Sequence, residues 1–258
     1  MDDWQEVAGN WVLIPPRPTG IVHFLGGAFV ASAPQLTYRW LLEQLYQQGY
    51  AIIATPFINT LDHTAIARDV LWSFEQTLNR LQSTRLIRRQ YLPIYGVGHS
   101  MGCKLHLLIG SLFDIERAGN ILISFNNYPA SRAIPLLEQV SPFVSVEFTP
   151  SPKETDSIIS KGYQVRRNLL VKFTNDDIDQ TLTLNKLLQA KFPGMVSLQT
   201  ITGTHVTPLG QDVSWPVGQV FTPIDAIGQW FKQEAYRDLN KLKKEICRWL
   251  NPLAGLSE

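Results

Sequence analysis

The sequence predicts an α/β fold: a doubly wound, mostly parallel sheet with helices on both faces and a short lid inserted between two strands. Short apolar runs of strand length alternate with helical segments over the first half of the chain, an order typical of parallel sheets. At one strand-to-helix junction the chain reads Gly98-x-Ser100-x-Gly102, a pattern that lifts a serine hydroxyl out of the backbone. A length of 258 residues favours one domain over residues 1–258.

The elements of the first half are predicted from apolar spacing and from turn residues. A proline-rich turn between two apolar runs predicts a strand pair at a sheet edge, and a continuous apolar run predicts a strand buried on both faces. Apolar residues three and four positions apart predict helices. In chain order these elements are edge strands over 11–15 and 20–25, a helix over 35–48, a strand over 50–57, a helix over 63–85, a strand over 92–97, a helix over 104–112 and a strand over 120–125.

Residues 126–162 break the alternation and predict a lid. A segment this long between two sheet strands is usually functional, and its apolar content favours an ordered cover over the site. In that position Ile134, Leu136, Leu137 and Phe143 would line the substrate pocket. The alternative is a structural excursion packed away from the site. After it the chain predicts a strand over 169–173, a helix over 180–192, a strand over 195–201 and a long helix over 224–250.

Composition excludes several classes of protein. Hydrophobic residues make up 45% and charged residues 17% of the chain, which excludes a disordered polymer, and a net charge of +1 gives no general attraction to nucleic acid or anionic membrane. No apolar run approaches the roughly 20 residues of a membrane-spanning helix. Two cysteines, and an N-terminus without the basic and apolar regions of a signal peptide, favour the cytoplasm. We therefore expect a small-molecule partner.

Ser100 is the candidate nucleophile. Its strained position needs residues without a Cβ two places to either side, and Gly98 and Gly102 meet that need. Two glycine-loop alternatives fail on spacing. A phosphate loop would place Gly directly before Lys, but Cys103 separates Gly102 from Lys104, and a dinucleotide loop would be one residue shorter. No cofactor is therefore expected.

The candidate base and acid follow Ser100 in the order Ser, Asp, His, which is the chain order of the α/β-hydrolase arrangement. A serine hydroxyl needs an imidazole to take its proton, and the imidazole needs a carboxylate to hold its tautomer. His205 follows the last predicted strand in a loop that can reach the serine. His99 lies in the turn itself and His106 in the helix behind it, so neither is well placed.

The acid comes from three carboxylates that follow the strand over 169–173. Aligning this strand with the usual hydrolase pattern places Asp176 at the acid, although Phe173 departs from the usual glycine, and Asp177 and Asp179 remain alternatives. The same cluster suggests a cation site, but one short segment supplies too few oxygens for a hard ion. No metal is therefore expected.

The oxyanion that forms during attack needs backbone N–H donors near the serine. Residues 26–28 follow a predicted strand, and their small side chains let backbone amides approach a ligand. We therefore predict that Gly27 or Ala28 acts together with Met101. The alternative is an ordinary tight turn.

Four stretches of the chain carry a family resemblance. They are His23-Phe24-Leu25-Gly26-Gly27-Ala28-Phe29, Gly96-Val97-Gly98-His99-Ser100-Met101-Gly102, Glu147-Phe148-Thr149-Pro150-Ser151-Pro152-Lys153-Glu154-Thr155, and Lys172-Phe173 with Asp176-Asp177-Ile178-Asp179-Gln180-Thr181. They resemble the α/β-hydrolase superfamily and, within it, the cyanobacterial and plastid family called domain of unknown function 1350. The resemblance implies the α/β-hydrolase fold and a cyanobacterial cytosol or a plastid as location. It also implies that Asp179 and Thr181 matter, in catalysis or in structure.

These features predict a serine hydrolase that cleaves an ester or thioester of an apolar acyl group through an acyl-enzyme intermediate. One alternative is an acyltransferase that uses the same residues. Another is a non-catalytic binding or scaffolding protein that keeps the turn without turnover. The distance between His205 and the Ser100 hydroxyl discriminates, because a base must come within about 3.2 Å of the proton it removes.

Overall fold

A computed structural model describes residues 4–89, 91–130, 147–209 and 232–252. In these ranges the strands are β1 (Gln5–Val7), β2 (Asn10–Leu13), β3 (Gly20–Leu25), β4 (Tyr50–Ala54), β5 (Ile94–His99), β6 (Gly119–Ile123), β7 (Asn168–Asn175) and β8 (Val196–Thr204). The helices are α1 (Pro34–Thr37), α2 (Arg39–Gln47), α3 (His63–Ser83), α4 (Met101–Leu112), α5 (Pro152–Gly162), α6 (Thr181–Lys191) and α7 (Lys232–Leu250).

The strands form one sheet in the order β1-β2-β4-β3-β5-β6-β7-β8. Strands β3 to β8 pair in parallel, whereas β1 pairs antiparallel with β2, and β2 with β4. Alternate strand residues face opposite sides of a sheet, and this sheet is covered on both. Ile121 and Ile123 of β6 pack in the core that includes α2 and α7, and Leu122 packs in the core that includes α4, α5 and α6. The predicted doubly wound, mostly parallel sheet is confirmed.

The predicted pairing of the first two apolar runs is wrong. β2 and β3 are not neighbours, because β4 lies between them and pairs with both. β3 is buried along its whole length and takes parallel partners on both sides, as a central strand requires. The edge is instead a hairpin of β1 and β2, which turns through positive φ at Ala8 (49°) and Gly9 (79°).

The single helix predicted over 35–48 is two helices, α1 and α2, that meet at Tyr38. Tyr38 leaves helical geometry (φ −114°, ψ 15°) and its side chain is fully buried. Its ring packs against Phe24 of β3, with ring centroids 4.7 Å apart. Tertiary packing of one tyrosine therefore overrides a continuous helical pattern.

Only part of the predicted lid, residues 126–130 and 147–162, lies within the described residues. Residues 152–162 form α5, which begins with a capping box between Ser151 and Glu154 and packs against α4. The two helices approach closely, since a Cβ on Gly162 would lie 2.5 Å from the carbonyl oxygen of Ser111. The predicted pocket-lining residues lie outside the described residues; these are Ile134, Leu136, Leu137 and Phe143.

The first residues of the last predicted helix, before residue 232, also lie outside the described ranges. No helix within the described ranges has the length and apolar character needed to cross a membrane.

Candidate active site

Ser100 stands at a sharp turn between β5 and α4. Its backbone has φ 54° and ψ −116°, a region that residues with a Cβ rarely adopt and that stores strain. The glycines beside it are required by contact. A Cβ on Gly98 would lie 2.6 Å from the backbone of Gly102, and one on Gly102 would lie 2.0 Å from the carbonyl oxygen of Leu25. The sequence argument for glycine at these two positions therefore agrees with the structure.

The structure brings Ser100, His205 and Asp176 together at the carboxyl ends of β5, β8 and β7. His205 Nδ1 lies 2.9 Å from Asp176 Oδ2, and His205 Nε2 lies 3.0 Å from Ser100 Oγ. Because a carboxylate only accepts hydrogen bonds, Nδ1 carries the hydrogen and Nε2 is left to accept the proton of the serine hydroxyl. The two ring nitrogens of His205 thus contact Ser100 on one side and Asp176 on the other. The catalytic role of each residue stays a prediction.

The Asp176 and His205 side chains differ in burial. The Asp176 side chain is completely buried, and the His205 side chain is 22% exposed. Burial alone raises the pKa of Asp176, but the hydrogen bond and charge of His205 and the Ile178 amide outweigh it, so that the net pKa is lowered. Asp176 is therefore ionised at neutral pH and can stabilise positive charge on the imidazole.

The two alternative acids lie elsewhere. Asp177 is exposed. Asp179 has a buried side chain that accepts hydrogen bonds from the Thr181 amide (3.0 Å) and hydroxyl (2.7 Å) and pairs with Lys172 at 3.3 Å. The three carboxylates do not converge, and no group of three or more His, Cys, Asp or Glu side chains in the described ranges is arranged to hold a metal ion.

The predicted oxyanion loop lies beside Ser100, but one of its amides is already engaged. A Cβ on Gly27 would lie 3.5 Å from Ser100 Cβ, which places the loop against the turn. The Gly27 N–H, however, donates to the Tyr38 hydroxyl at 2.8 Å. The Ala28 N–H makes no hydrogen bond to another described residue, and Met101 begins α4, where the first amides have no partner within the helix. Of the predicted donors, Ala28 and Met101 are left as candidates, and their role in binding an oxyanion stays a prediction.

His99 supports the site without reaching the serine. Its Nε2–H donates to the carbonyl oxygen of His205 at 2.8 Å, and its Nδ1 accepts from the Tyr38 hydroxyl at 2.8 Å. Burial, and then the nearby charge of His205, lower the pKa of His99 from 6.5 to about 3. His99 is therefore neutral at physiological pH and joins the Gly27 loop, through Tyr38, to the loop of His205.

Asn126 touches the candidate nucleophile and was not predicted from the sequence. Its Nδ2 donates to Ser100 Oγ at 3.1 Å. An asparagine after a strand has no motif of its own. Its position in the chain could have indicated a site residue. Asn126 follows β6, which pairs in parallel with β5, and residues that follow adjacent parallel strands meet at one edge of the sheet.

Three solved structures with similar folds are described as a lipase, a serine hydrolase and a thioesterase. A soluble variant of monoglyceride lipase from Saccharomyces cerevisiae is 14% identical with a TM-score of 0.60, over 98% of this chain and 95% of that chain. A fluorophosphonate-binding serine hydrolase of Staphylococcus aureus is 14% identical with a TM-score of 0.57, over 94% and 92%. A thioesterase domain from the curacin biosynthetic pathway is 14% identical with a TM-score of 0.51, over 81% and 95%.

At these identities the likeness shows the fold, and the predicted α/β-hydrolase fold is confirmed. A search of the curated proteins found no match. A family match, in contrast, covers nearly the whole chain, over residues 3–252. The chain therefore belongs to the family described as "Protein of unknown function (DUF1350)".

Proposed function

We propose that this protein is a serine hydrolase that cleaves an ester or thioester of an apolar acyl group through an acyl-enzyme intermediate. One observation carries the proposal: the continuous hydrogen-bonded series from Ser100 Oγ to His205 Nε2 (3.0 Å) and from His205 Nδ1 to Asp176 Oδ2 (2.9 Å). Both distances fall in the range of about 2.6–3.2 Å that proton transfer and imidazole orientation need.

In acylation, Ser100 Oγ bonds to the substrate carbonyl carbon while its proton passes to His205 Nε2. The carbonyl π electrons move to the carbonyl oxygen, and the buried Asp176 carboxylate stabilises the imidazolium that forms. The intermediate collapses when the carbon–oxygen or carbon–sulfur bond to the leaving group breaks. His205 returns its proton to that leaving group, and the acyl group stays on Ser100.

In deacylation, His205 Nε2 takes a proton from water as the water oxygen bonds to the acyl carbon. The bond between this carbon and Ser100 Oγ then breaks, and Oγ recovers its proton from the imidazolium. The Ala28 and Met101 N–H groups are the proposed donors to the oxyanion in both steps, because the Gly27 N–H donates to Tyr38. Removing a donor of this kind typically slows an enzyme by about 10²–10³-fold.

The apolar substrate class is supported by the surface around the site. The loops after β3, β4 and β7, and the start of α6, expose large hydrophobic side chains near the carboxyl edge of the sheet; these are Phe29, Ile58, Leu61, Ile178 and Leu182. An acyl chain is a fitting partner for such a surface. The descriptions of the similar structures as lipase and thioesterase favour an ester or thioester over an amide, by analogy of fold alone.

The test is labelling of the purified full chain with a fluorophosphonate probe, which forms a bond with an activated serine. We expect the wild type to label, and Ser100→Ala and His205→Ala to lose at least about 10³-fold in labelling rate, because one lacks the nucleophile and the other the base. Ser111→Ala is the matched control, since Ser100 lies at the N-terminal end of α4 and Ser111 lies near its C-terminal end. p-Nitrophenyl esters and acyl thioesters of graded length would then define the acyl preference.

Two results would contradict the proposal. Labelling that persists in Ser100→Ala would show that another residue reacts. A wild type that does not label and turns over no ester in the series would favour the non-catalytic alternative, despite the short contact between His205 and Ser100.

A further inference from the structure

We propose that the Asn126 side chain is a further catalytic group, which donates a hydrogen bond to Ser100 Oγ while that oxygen exchanges its proton for a bond to the acyl carbon. The inference rests on the proposed function. Its basis is that Asn126 Nδ2 lies 3.1 Å from Oγ, at the same time as His205 Nε2 lies 3.0 Å from it. The serine oxygen thus has one partner that accepts its proton and another that can only donate to it.

Asn126 stands apart from the proposed oxyanion donors. β5, which leads into Ser100, lies between β3 and β6 in the sheet. Residues 26–28 follow β3, and Asn126 follows β6. The loop of Ala28 therefore lies on the β3 side of Ser100, and Asn126 lies on the β6 side. The amide of Asn126 acts on the serine oxygen, whereas the Ala28 and Met101 amides act on the carbonyl oxygen.

This placement helps both chemical steps. In acylation, negative charge builds on Oγ as its proton moves to His205 Nε2 and before the bond to carbon is complete. In deacylation, Oγ is the leaving atom and carries charge until the imidazolium returns the proton. A hydrogen bond to a charged oxygen is about twice as strong as one to a neutral hydroxyl, so the Asn126 N–H stabilises these states more than it stabilises the resting serine.

The backbone around Asn126 is held by hydrogen bonds from one short segment. The Phe125 N–H donates to the Thr181 hydroxyl (3.2 Å), and the Gln180 N–H donates to the Phe125 carbonyl oxygen (2.7 Å). The Asn127 N–H donates to Gln180 Oε1 (2.5 Å). Residues on both sides of Asn126 are therefore fixed, and its side chain is directed at the serine without an induced movement.

Asp179 completes this support. Its buried carboxylate accepts from both the amide and the hydroxyl of Thr181, which leaves the Thr181 oxygen oriented to accept from Phe125. The stretch from Asp176 to Thr181 thus has two tasks. Asp176 orients His205, and Asp179 with Gln180 and Thr181 positions Asn126, so both partners of the Ser100 oxygen depend on one strand-end loop.

The first test compares Asn126→Ala and Asn126→Asp in the full chain, by the second-order rate of fluorophosphonate labelling. Alanine removes the donor, and we expect labelling about tenfold slower, the effect of losing one hydrogen bond. Aspartate keeps the shape but replaces the donor with a negative acceptor that opposes charge on Oγ, and we expect a loss of about 100-fold. Asn185→Ala is the control, because Asn185 lies on α6 with no hydrogen bond to Ser100, His205 or Asp176.

The second test separates positioning from general damage. Thr181→Val removes the hydroxyl that holds Phe125 and should slow labelling several-fold, while Thr181→Ser should restore the wild-type rate. In an Asn126→Ala background the Thr181→Val change should add little, because the group it positions is already absent. Thermal melts of every variant show whether the fold is retained.

The outcomes distinguish this inference from the function it rests on. If the wild type labels and Asn126→Ala and Asn126→Asp label at the wild-type rate, the inference is overturned and the serine hydrolase proposal stands. Equal additional loss from Thr181→Val with and without Asn126 would overturn the positioning step. If the folded wild type does not label, the hydrolase proposal fails, and Asn126 has no reaction to assist.

Discussion

His205 and His99 lie with ring centroids 5.0 Å apart, but the two imidazoles differ in exposure and in hydrogen-bond partners. His205 is partly exposed, and its Nδ1 faces the buried Asp176 carboxylate. His99 is buried between a tyrosine hydroxyl and a backbone carbonyl, and its pKa is lowered to about 3. One imidazole has a charged partner ready for the proton it gains, whereas burial keeps the other neutral.

The difference shows what a base needs beyond proximity. His99 is adjacent to Ser100 in sequence, yet both of its ring nitrogens are committed to structural hydrogen bonds. His205 comes from a distant loop, and its Nε2 points at the serine hydroxyl. His99 fixes the backbone of His205, because its Nε2–H donates a hydrogen bond to the carbonyl oxygen of His205 itself. The predictions below perturb each partner in turn.

The largest effect is expected when the Asp176 carboxylate, the charged partner of His205, is replaced by a neutral amide. Asp176→Asn lets the side-chain amide donate to His205 Nδ1, which moves the ring hydrogen to Nε2 and leaves no acceptor for the Ser100 proton. We expect fluorophosphonate labelling about 10⁴-fold slower with little change in fold. The second-order rate constant of labelling is the measurement.

The neighbouring carboxylates are the matched controls. Asp177→Asn changes an exposed side chain and should label at the wild-type rate. Asp179→Asn disturbs the contacts with Thr181 and Lys172, so it should lower thermal stability and slow labelling far less than Asp176→Asn. A loss with Asp177→Asn or Asp179→Asn that exceeds the loss with Asp176→Asn would reassign the acid.

A smaller effect is expected when the hydrogen bond between Tyr38 and His99 is removed. Tyr38→Phe leaves two buried groups without their partner, the Gly27 N–H and His99 Nδ1. Each unsatisfied buried group costs about 1–3 kcal/mol, so the free energy of unfolding should fall by at least about 2 kcal/mol in urea titrations. Labelling should also slow several-fold, because the loops of Gly27 and His205 lose their common support.

Tyr163→Phe provides the comparison for that variant. Tyr163 is equally buried, and its hydroxyl bonds to Asn120 and Asn168 rather than to the site. It should lose a similar free energy of unfolding and label at the wild-type rate. If both tyrosine variants slow labelling equally, the link through His99 has no role in positioning the base.

The sequence predicted which residues at strand ends lie together in the candidate site, while their catalytic roles stay a prediction. Ser100, Asp176 and His205 directly follow β5, β7 and β8, and the carboxyl ends of parallel strands meet at one edge of a sheet. Periodicity located the strands, and the order of residue types located the candidates. The same reasoning extends to Asn126 after β6, but an asparagine there has no distinctive pattern, and only the three-dimensional contact reveals it.

Other features depended on tertiary packing that no local pattern encodes. The helical spacing over 35–48 is continuous, yet Tyr38 interrupts it to reach Gly27 and His99. The engagement of the Gly27 amide therefore could not be foreseen. The pairing of β2 with β3 was wrong because closeness in sequence favours a hairpin, whereas the strong burial of β3 demands parallel neighbours on both sides.

The last effect is expected in the pH dependence of stability, where His99 contributes one proton. An unfolded His99 binds a proton below about pH 6.5, but the folded one does so only near pH 3. The unfolded state therefore binds more protons between these values, and acid favours unfolding. His99 should reduce the free energy of unfolding by up to about 1.4 kcal/mol for each pH unit as pH falls through this window.

His99→Gln should remove this contribution. His23, His63 and His106 also have lowered pKa values and keep the wild-type slope steep, while Asp176, which faces His99 beside His205 and Tyr38, titrates at lower pH. Urea midpoints at pH 7, 6, 5 and 4 should then fall less steeply in His99→Gln than in the wild type. Ile109→Val, a core change without an ionisable group, should lower all four midpoints equally. Parallel curves for His99→Gln and the wild type would mean that His99 accepts a proton in the folded protein, and the contrast with His205 would not hold.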